Sequence, residues 1–143
     1  MMTDLKEKDE TSNVQSVKRV PDGASQHITA GPYSPVIVVD RGSLVVISGQ
    51  VAVDLQGNIV GDTIEAQSRQ TLHNCLQQLQ TADCSFADVF KVNVYLKDLE
   101  QWPRFNEVYV ELIPSPLPVR TAIGAALLPG LLVEIEMWAA KHS

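Results

Sequence analysis

Three charged side chains sit inside the most apolar stretch of the chain, "PVRTAIGAALLPGLLVEIEMWA", residues 118 to 139. Arg120 falls where a core strand should begin, and Glu134 and Glu136 flank Ile135 in what reads as the last strand. An unpaired buried charge is costly, so charges in such places are paired, exposed or used. The arginine fork can hold a carboxylate bidentately, and it keeps its charge at any physiological pH. A carboxylate in a water-poor cleft can position or activate a water molecule. Residue types alone therefore leave two readings. Arg120 either pairs with Glu134 or Glu136 to close an interface, or it anchors an anionic ligand near an acid. Glu134 can equally face solvent or pair with Lys91 or Lys97. It shares strand parity with Glu136, so neither is preferred by face. A two-residue Pro129-Gly130 hairpin would put Arg120 and Glu134 on opposite sheet faces. A three-residue Leu128-Pro129-Gly130 loop would put them on the same face, and contact across a subunit boundary is a third option.

Other candidates lie earlier. Tyr33 stands in the rigid segment Gly31-Pro32-Tyr33-Ser34-Pro35, where a tyrosine either packs or lines a cleft. Ser48 and Gly49 end a strand, and their small bulk lets backbone groups reach a ligand. Asn106 falls on a helix, where it can also be a surface or capping residue. His27, His73 and His142 have no ligand or triad spacing and read as surface residues. There is no Gly-rich phosphate loop and no metal motif, so neither cofactor nor metal is expected. Cys75 and Cys84 match no zinc spacing and read as free thiols in a reducing compartment.

The elements that must position these residues follow from periodicity. The chain has 143 residues, 45% hydrophobic and 20% charged, which is the composition of one globular domain. Its net charge of −6 argues against a general binder of the nucleic-acid backbone. No stretch has the length of a membrane span and no secretory signal begins the chain, so the expected location is cytoplasmic. Residues 1 to 25 are polar and aperiodic and read as a disordered tail, with the domain spanning 26 to 143. Val36–Val39 and Leu44–Ser48 read as two strands, buried on both faces and joined by a turn at Asp40-Arg41-Gly42. A helix follows, capped by Asp62 with Glu65, with Ile64, Thr71, Leu72, Cys75, Leu76 and Leu79 on one stripe. "VFKVNVYLKD" alternates as a strand, with Phe90, Val92, Val94 and Leu96 inward. A second helix runs from Gln101 to Ile113, with Pro103 in its first turn and Phe105, Val108, Tyr109 and Leu112 apolar. Strands at 119–127 and 131–140 are joined at Pro129-Gly130.

The order β-β-α-β-α-β-β implies an α+β domain with both helices on one face of a mixed sheet. Two helices leave the other face uncovered, so self-association is expected, with Tyr95, Trp138, Ala122, Gly124 and Ala126 as candidates for that face.

The segments "GPYSPVI", "VISGQ", "GNIVG", "QTLHNCLQQL", "DVFKVNVYLKDLEQWPRFNEVY", "PVRTAI" and "LPGLLVEIEMWA" together resemble the Rid family, also called YjgF/YER057c/UK114. The resemblance spans roughly residues 29 to 141. It implies a chorismate-mutase-like fold, a homotrimer built around a central barrel, and active clefts between subunits. It further implies that Arg120 binds the substrate carboxylate and that Glu134 positions water. Tyr33 and Asn106 would line the site beside Ser48 and Gly49, and Glu136 would serve the structure. One departure stands out. Many members carry Cys two residues after the arginine, where this chain has Ala122. Chemistry through that thiol is excluded, and Ala122 would shape the pocket floor.

The function implied is an enamine/imine deaminase, of the 2-iminobutanoate/2-iminopropanoate type, that converts 2-imino or 2-enamine acids to 2-keto acids and ammonia. Two alternatives stand beside it: a pathway-specific deaminase of an aminomuconate-like dicarboxylate, and a non-catalytic trimer that binds small carboxylates such as 2-keto acids. A ribonuclease reading, attached to some members, is disfavoured by the acidic composition.

Overall fold

The last strand of the chain lies inside the sheet. In the computed structural model, which describes residues 17 to 142, the elements are β1 (Lys18–Arg19), β2 (Val38–Val39), β3 (Ser43–Val51), α1 (Ile64–Gln80), β4 (Val89–Leu96), α2 (Trp102–Leu112), β5 (Val119–Gly124) and β6 (Val133–Lys141). The main sheet has the order β3-β6-β4-β5. β4 and β5 run parallel, and β6 is antiparallel to both β3 and β4. The fold is α+β with two helices on one face of a mixed sheet, as expected.

Alternation along β6 sets the two faces. Val133, Ile135, Met137 and Ala139 are fully buried beneath the helices, while Glu134, Glu136 and Trp138 are half-buried on the other side. The same core takes Val92, Val94 and Leu96 from β4, Leu72, Cys75 and Leu79 from α1, and Phe105, Val108 and Tyr109 from α2. Phe90 drops out of the expected alternation because the β4–β6 register shifts between Val89 and Lys91. Burial pushes the Cys75 thiol up to about 12 and also raises Cys84, so both remain protonated and unreactive.

Four expectations need correction. The cap of α1 is Thr63, not Asp62: its extended backbone lets the hydroxyl accept from the Ala66 amide at 3.1 Å. Glu65 is instead held by Arg104 at 2.6 Å, which ties α1 to α2. Second, β2 and β3 are not a hairpin, because β2 pairs with β1. Nor is β3 buried on both faces, since Leu44 and Val46 are 65% and 54% exposed. Third, β5 and β6 are not neighbours: β4 lies between them, so the loop at Pro129-Gly130 is a crossover rather than a hairpin turn. Fourth, Ala122 and Gly124 pair with Val94 and Leu96 and so lie on the helix side, not the open side. Tyr95 and Trp138 do lie on the open side, with Leu44, Val46 and Ile123, and no element among the described residues covers that band.

The tail boundary also moves. Residues 1 to 16 of the expected tail lie outside the described residues, but Lys18–Arg19 forms a strand. Lys18 is 4% exposed, and its ammonium donates to the carbonyls of Val89 at 2.5 Å and Pro116 at 3.2 Å. Burial pulls its pKa down from 10.5 to about 8, partly opposed by Asp88. Between those two values the unfolded chain binds the extra proton, so stability rises with pH across that window. Denaturant titrations at several alkaline pH values are expected to show this rise in the wild-type chain and a shallower one in Lys18→Met. Equal slopes would remove Lys18 as the source.

Candidate functional site

Arg120 is in register with Val92, and so points under the helices instead of into the open face. It arrives at only 9% exposure. Four rings surround its guanidinium: Tyr109 at 4.8 Å, Tyr33 at 5.6 Å, Trp102 at 5.7 Å and Phe105 at 5.9 Å from ring centroid to Cζ. Such cation–π contacts hold the charge in place without neutralising it. Its one side-chain hydrogen bond runs from Nη1 to Asn106 Oδ1 at 2.8 Å. Nε and Nη2 are buried and have no acceptor among the described residues. Burial lowers the Arg120 pKa from its ordinary value. No carboxylate among the described residues pairs with it, which removes the interface ion pair with Glu134 or Glu136 within the protomer.

The local sequence builds this box. Trp102, Phe105, Asn106 and Tyr109 recur at three- and four-residue steps of α2 and so share one side of the helix. Ser34 fastens the segment carrying Tyr33 to the start of β5: its amide donates to Pro118 O at 3.2 Å and its hydroxyl to Leu117 O at 2.5 Å. Gly31 is the tight point, since a Cβ there would sit 3.1 Å from the Tyr33 ring and 3.5 Å from Arg120 Nη2. The aromatic box was not foreseen as such. Phe105 and Tyr109 fit the apolar stripe of a core helix, and that periodicity is the same whether the stripe meets aliphatic side chains or a guanidinium.

A second cluster lies on the other face. Glu134 is in register with Tyr95 and Val51, at the end of β3 where the register shifts between Ile47 and Gln50. Ser48 and Gly49 occupy that irregularity, and the Glu134 carboxylate fills the space a side chain at Gly49 would need: a Cβ there would meet Oε2 at 2.3 Å. Glu136 has a structural partner set, accepting from Asn93 Nδ2 at 3.3 Å and from the Tyr95 hydroxyl. That bond to Glu136 raises the Tyr95 pKa. The predicted residues thus fall into two groups. Tyr33, Asn106, Arg120 and Ala122 lie at or near the β5 edge, on the helix side or the segment that closes over it. Ser48, Gly49 and Glu134 lie at the β3 end, with Glu134 on the open face. One protomer does not bring the groups together.

Beside Arg120 opens a cavity of about 380 Å³, to which Gln26, Tyr33, Ser34, Lys91 and Thr121 also contribute. Among the described residues, no cluster of His, Cys, Asp or Glu could hold a metal ion, and no helix is long and apolar enough to cross a membrane.

Together these features define an α+β chain with an arginine buried in an aromatic box and without a carboxylate partner among the described residues. The chain belongs to the family described as Endoribonuclease L-PSP, the YjgF/Rid family, whose profile matches residues 24–141. It is 38% identical over 129 residues to "Protein mmf2, mitochondrial" of Schizosaccharomyces pombe, covering 87% of this chain and all of that one. To the human 2-iminobutanoate/2-iminopropanoate deaminase it is 35% identical over 122 residues, covering 84% of this chain and 88% of the relative. Among solved structures, the Rid-family protein YyfB of Yersinia pestis superposes with a TM-score of 0.68 at 26% identity, over 87% of this chain and 99% of that one.

Proposed function

We propose that the chain is an enamine/imine deaminase that hydrolyses 2-imino acids, and their 2-enamine tautomers, to 2-keto acids and ammonia. The observation that carries this reading is Arg120: a nine-tenths-buried cation with two donors, Nε and Nη2, and no acceptor for either. A substrate carboxylate supplies the missing acceptor. Family membership and the named human deaminase support the reaction class. In this reading Tyr33 and Asn106 hold the guanidinium, and Ala122 forms the pocket floor where many relatives carry a thiol. Ser48 and Gly49 present backbone groups to the iminium nitrogen. Glu134 orients water toward the imine carbon. The water oxygen forms the new C–O bond, the C–N bond of the carbinolamine breaks, and nitrogen leaves as ammonia with the protons it has gained. No electrons are transferred and no cofactor is required. Holding water and imine together supplies most of the rate gain.

Since the two residue groups are separated in one protomer, the complete site is proposed to form between copies, Arg120 from one and Glu134 from the next. The uncovered band of Leu44, Val46, Tyr95, Ile123 and Trp138 is the surface proposed to bring a homotrimer together around a barrel. A second reading, a non-catalytic binder of 2-keto acids, is favoured by one observation: Arg120 alone makes an anion box with no acid in it. A pathway-specific deaminase of an aminomuconate-like substrate is the third, suggested by the small side chain of Ala122 two residues after Arg120. Nucleic acid is a poor partner for a chain of charge −6. The proposed location is the cytoplasm; the name of the fission-yeast relative makes the mitochondrion its rival, and fractionation of cells expressing the chain decides.

An amino-acid oxidase coupled to semicarbazide tests the reading. With 2-aminobutanoate as the oxidase substrate, the protein is expected to accelerate release of keto acid and ammonia and to slow semicarbazone formation. No acceleration, with 2-oxobutanoate still binding, would replace the deaminase by the binder.

A further inference from the structure

Lys91 and Arg120 line the same cavity of about 380 Å³, a volume within the roughly 300–1,000 Å³ range of small-ligand sites. In a chain with net charge −6, no Asp or Glu lines that cavity among the described residues. Among its remaining polar walls, Tyr33 and Thr121 carry hydroxyls that can donate, while the Ser34 hydroxyl already donates to Leu117 O and one Gln26 amide hydrogen to Tyr33 O. Neither cation is neutralised. Arg120 has two enclosed donors, Nε and Nη2, with no acceptor among the described residues. The Lys91 ammonium lies 5.2 Å over the Trp138 ring and has no carboxylate partner among the described residues, and a ring contact leaves its donors available. The two cations come from different faces of the sheet. Lys91 is in register with Val119 on the open side, and Arg120, the next residue along β5, turns beneath the helices. The cavity is bordered by β5, an edge strand of the sheet, and by the Tyr33–Pro35 segment. Both cationic residues border this cavity, and the Lys91 ammonium has to swing away from Trp138 to reach a ligand in it.

We infer that the site is built for 2-imino dicarboxylic acids of short chain length, with Arg120 on the carboxylate next to the imine carbon and Lys91 on the distal carboxylate. Lys91 is the specificity-determining residue. The inference rests on the deaminase reading for its chemistry, but its binding geometry is testable without it. The reaction is the hydrolysis already described, with the distal carboxylate a spectator.

The test compares the imines that an amino-acid oxidase forms from glutamate and from 2-aminobutanoate, with wild-type protein and with Lys91→Met, which keeps an unbranched stem against Trp138. A hydrogen-bonded charge pair is worth about 1.5–3 kcal/mol, so the ratio of kcat/KM for the dicarboxylic over the monocarboxylic imine is expected to fall by roughly tenfold or more in the variant. Lys91→Glu is expected to lower that ratio further by repulsion. An unchanged ratio overturns the inference, whether both rates fall together or neither falls. Titration of the same proteins with 2-oxoglutarate and 2-oxobutanoate separates the two ideas. If wild type hydrolyses neither imine, the deaminase reading fails, and the inference stands only if Lys91→Met selectively weakens 2-oxoglutarate. If both imines are hydrolysed and 2-oxoglutarate binding is indifferent to Lys91, the inference alone fails.

Discussion

Replacing Arg120 by methionine is expected to abolish carboxylate binding while leaving the fold as stable as before or more so. Most interior substitutions lose both. Here the functional loss follows from two donors that have no acceptor among the described residues and that a ligand carboxylate is proposed to engage. Each charge-assisted hydrogen bond contributes about 1.5–3 kcal/mol, so kcat/KM should drop by roughly two to four orders of magnitude. Stability moves the other way. Arg120 is 9% exposed, makes one side-chain hydrogen bond and has no ion pair among the described residues, so its desolvation is largely uncompensated. The four ring contacts recover part of that cost, each on the order of 0.5–2 kcal/mol and not additive around one cation. Exchanging buried charge for apolar volume is often neutral or stabilising by about 1–4 kcal/mol. Denaturation midpoints and 2-oxobutanoate titration of Arg120→Met check both halves. A destabilised variant that still binds keto acid would show that Arg120 is a structural residue.

The second large effect is expected at Glu134. Exchange for glutamine keeps the shape that fills the space beside Gly49 but removes the base, so the carboxylate's place against the backbone is preserved. If Glu134 orients and activates water, kcat should fall by about 10²–10⁴ while KM changes little. Binding of 2-keto acids should be near that of wild type, because the carboxylate anchor is elsewhere. This split separates Glu134 from Arg120, whose loss acts on binding as well. The same exchange at Glu136 would instead disturb its contacts with Tyr95 and Asn93, and should register as a modest loss of stability.

The helices, the polarity of β6 and the uncovered sheet face were legible in the sequence because each rests on local periodicity. Val133, Ile135, Met137 and Ala139 alternate with Glu134, Glu136 and Trp138 whatever their neighbours are. Strand pairing was not legible in the same way. β5 and β6 are joined by a short loop that looks like a hairpin, yet β5 pairs in parallel with β4, and only tertiary contact decides that. The short pairing of Lys18–Arg19 with Val38–Val39 escaped for a related reason, since two residues show no period. At the site, Arg120 was visible as a charge out of place, but its aromatic box was not, because rings at helical spacing read as core. That Arg120 and Glu134 face opposite sides of the sheet follows from register alone, Arg120 with Val92 and Glu134 with Tyr95. This separation is why a site assembled from two copies is the simplest arrangement that uses both.

Subunit mixing tests that arrangement most directly. Arg120→Met and Glu134→Gln proteins, each inactive alone, are unfolded together, refolded and assayed for hydrolysis of 2-iminobutanoate. If each site takes Arg120 from one copy and Glu134 from its neighbour, random assembly leaves roughly a quarter of the sites with both native residues, and activity should return to about that fraction of wild type. If both residues of a site come from the same chain, no mixture regains activity, and the proposal of sites shared between copies is contradicted.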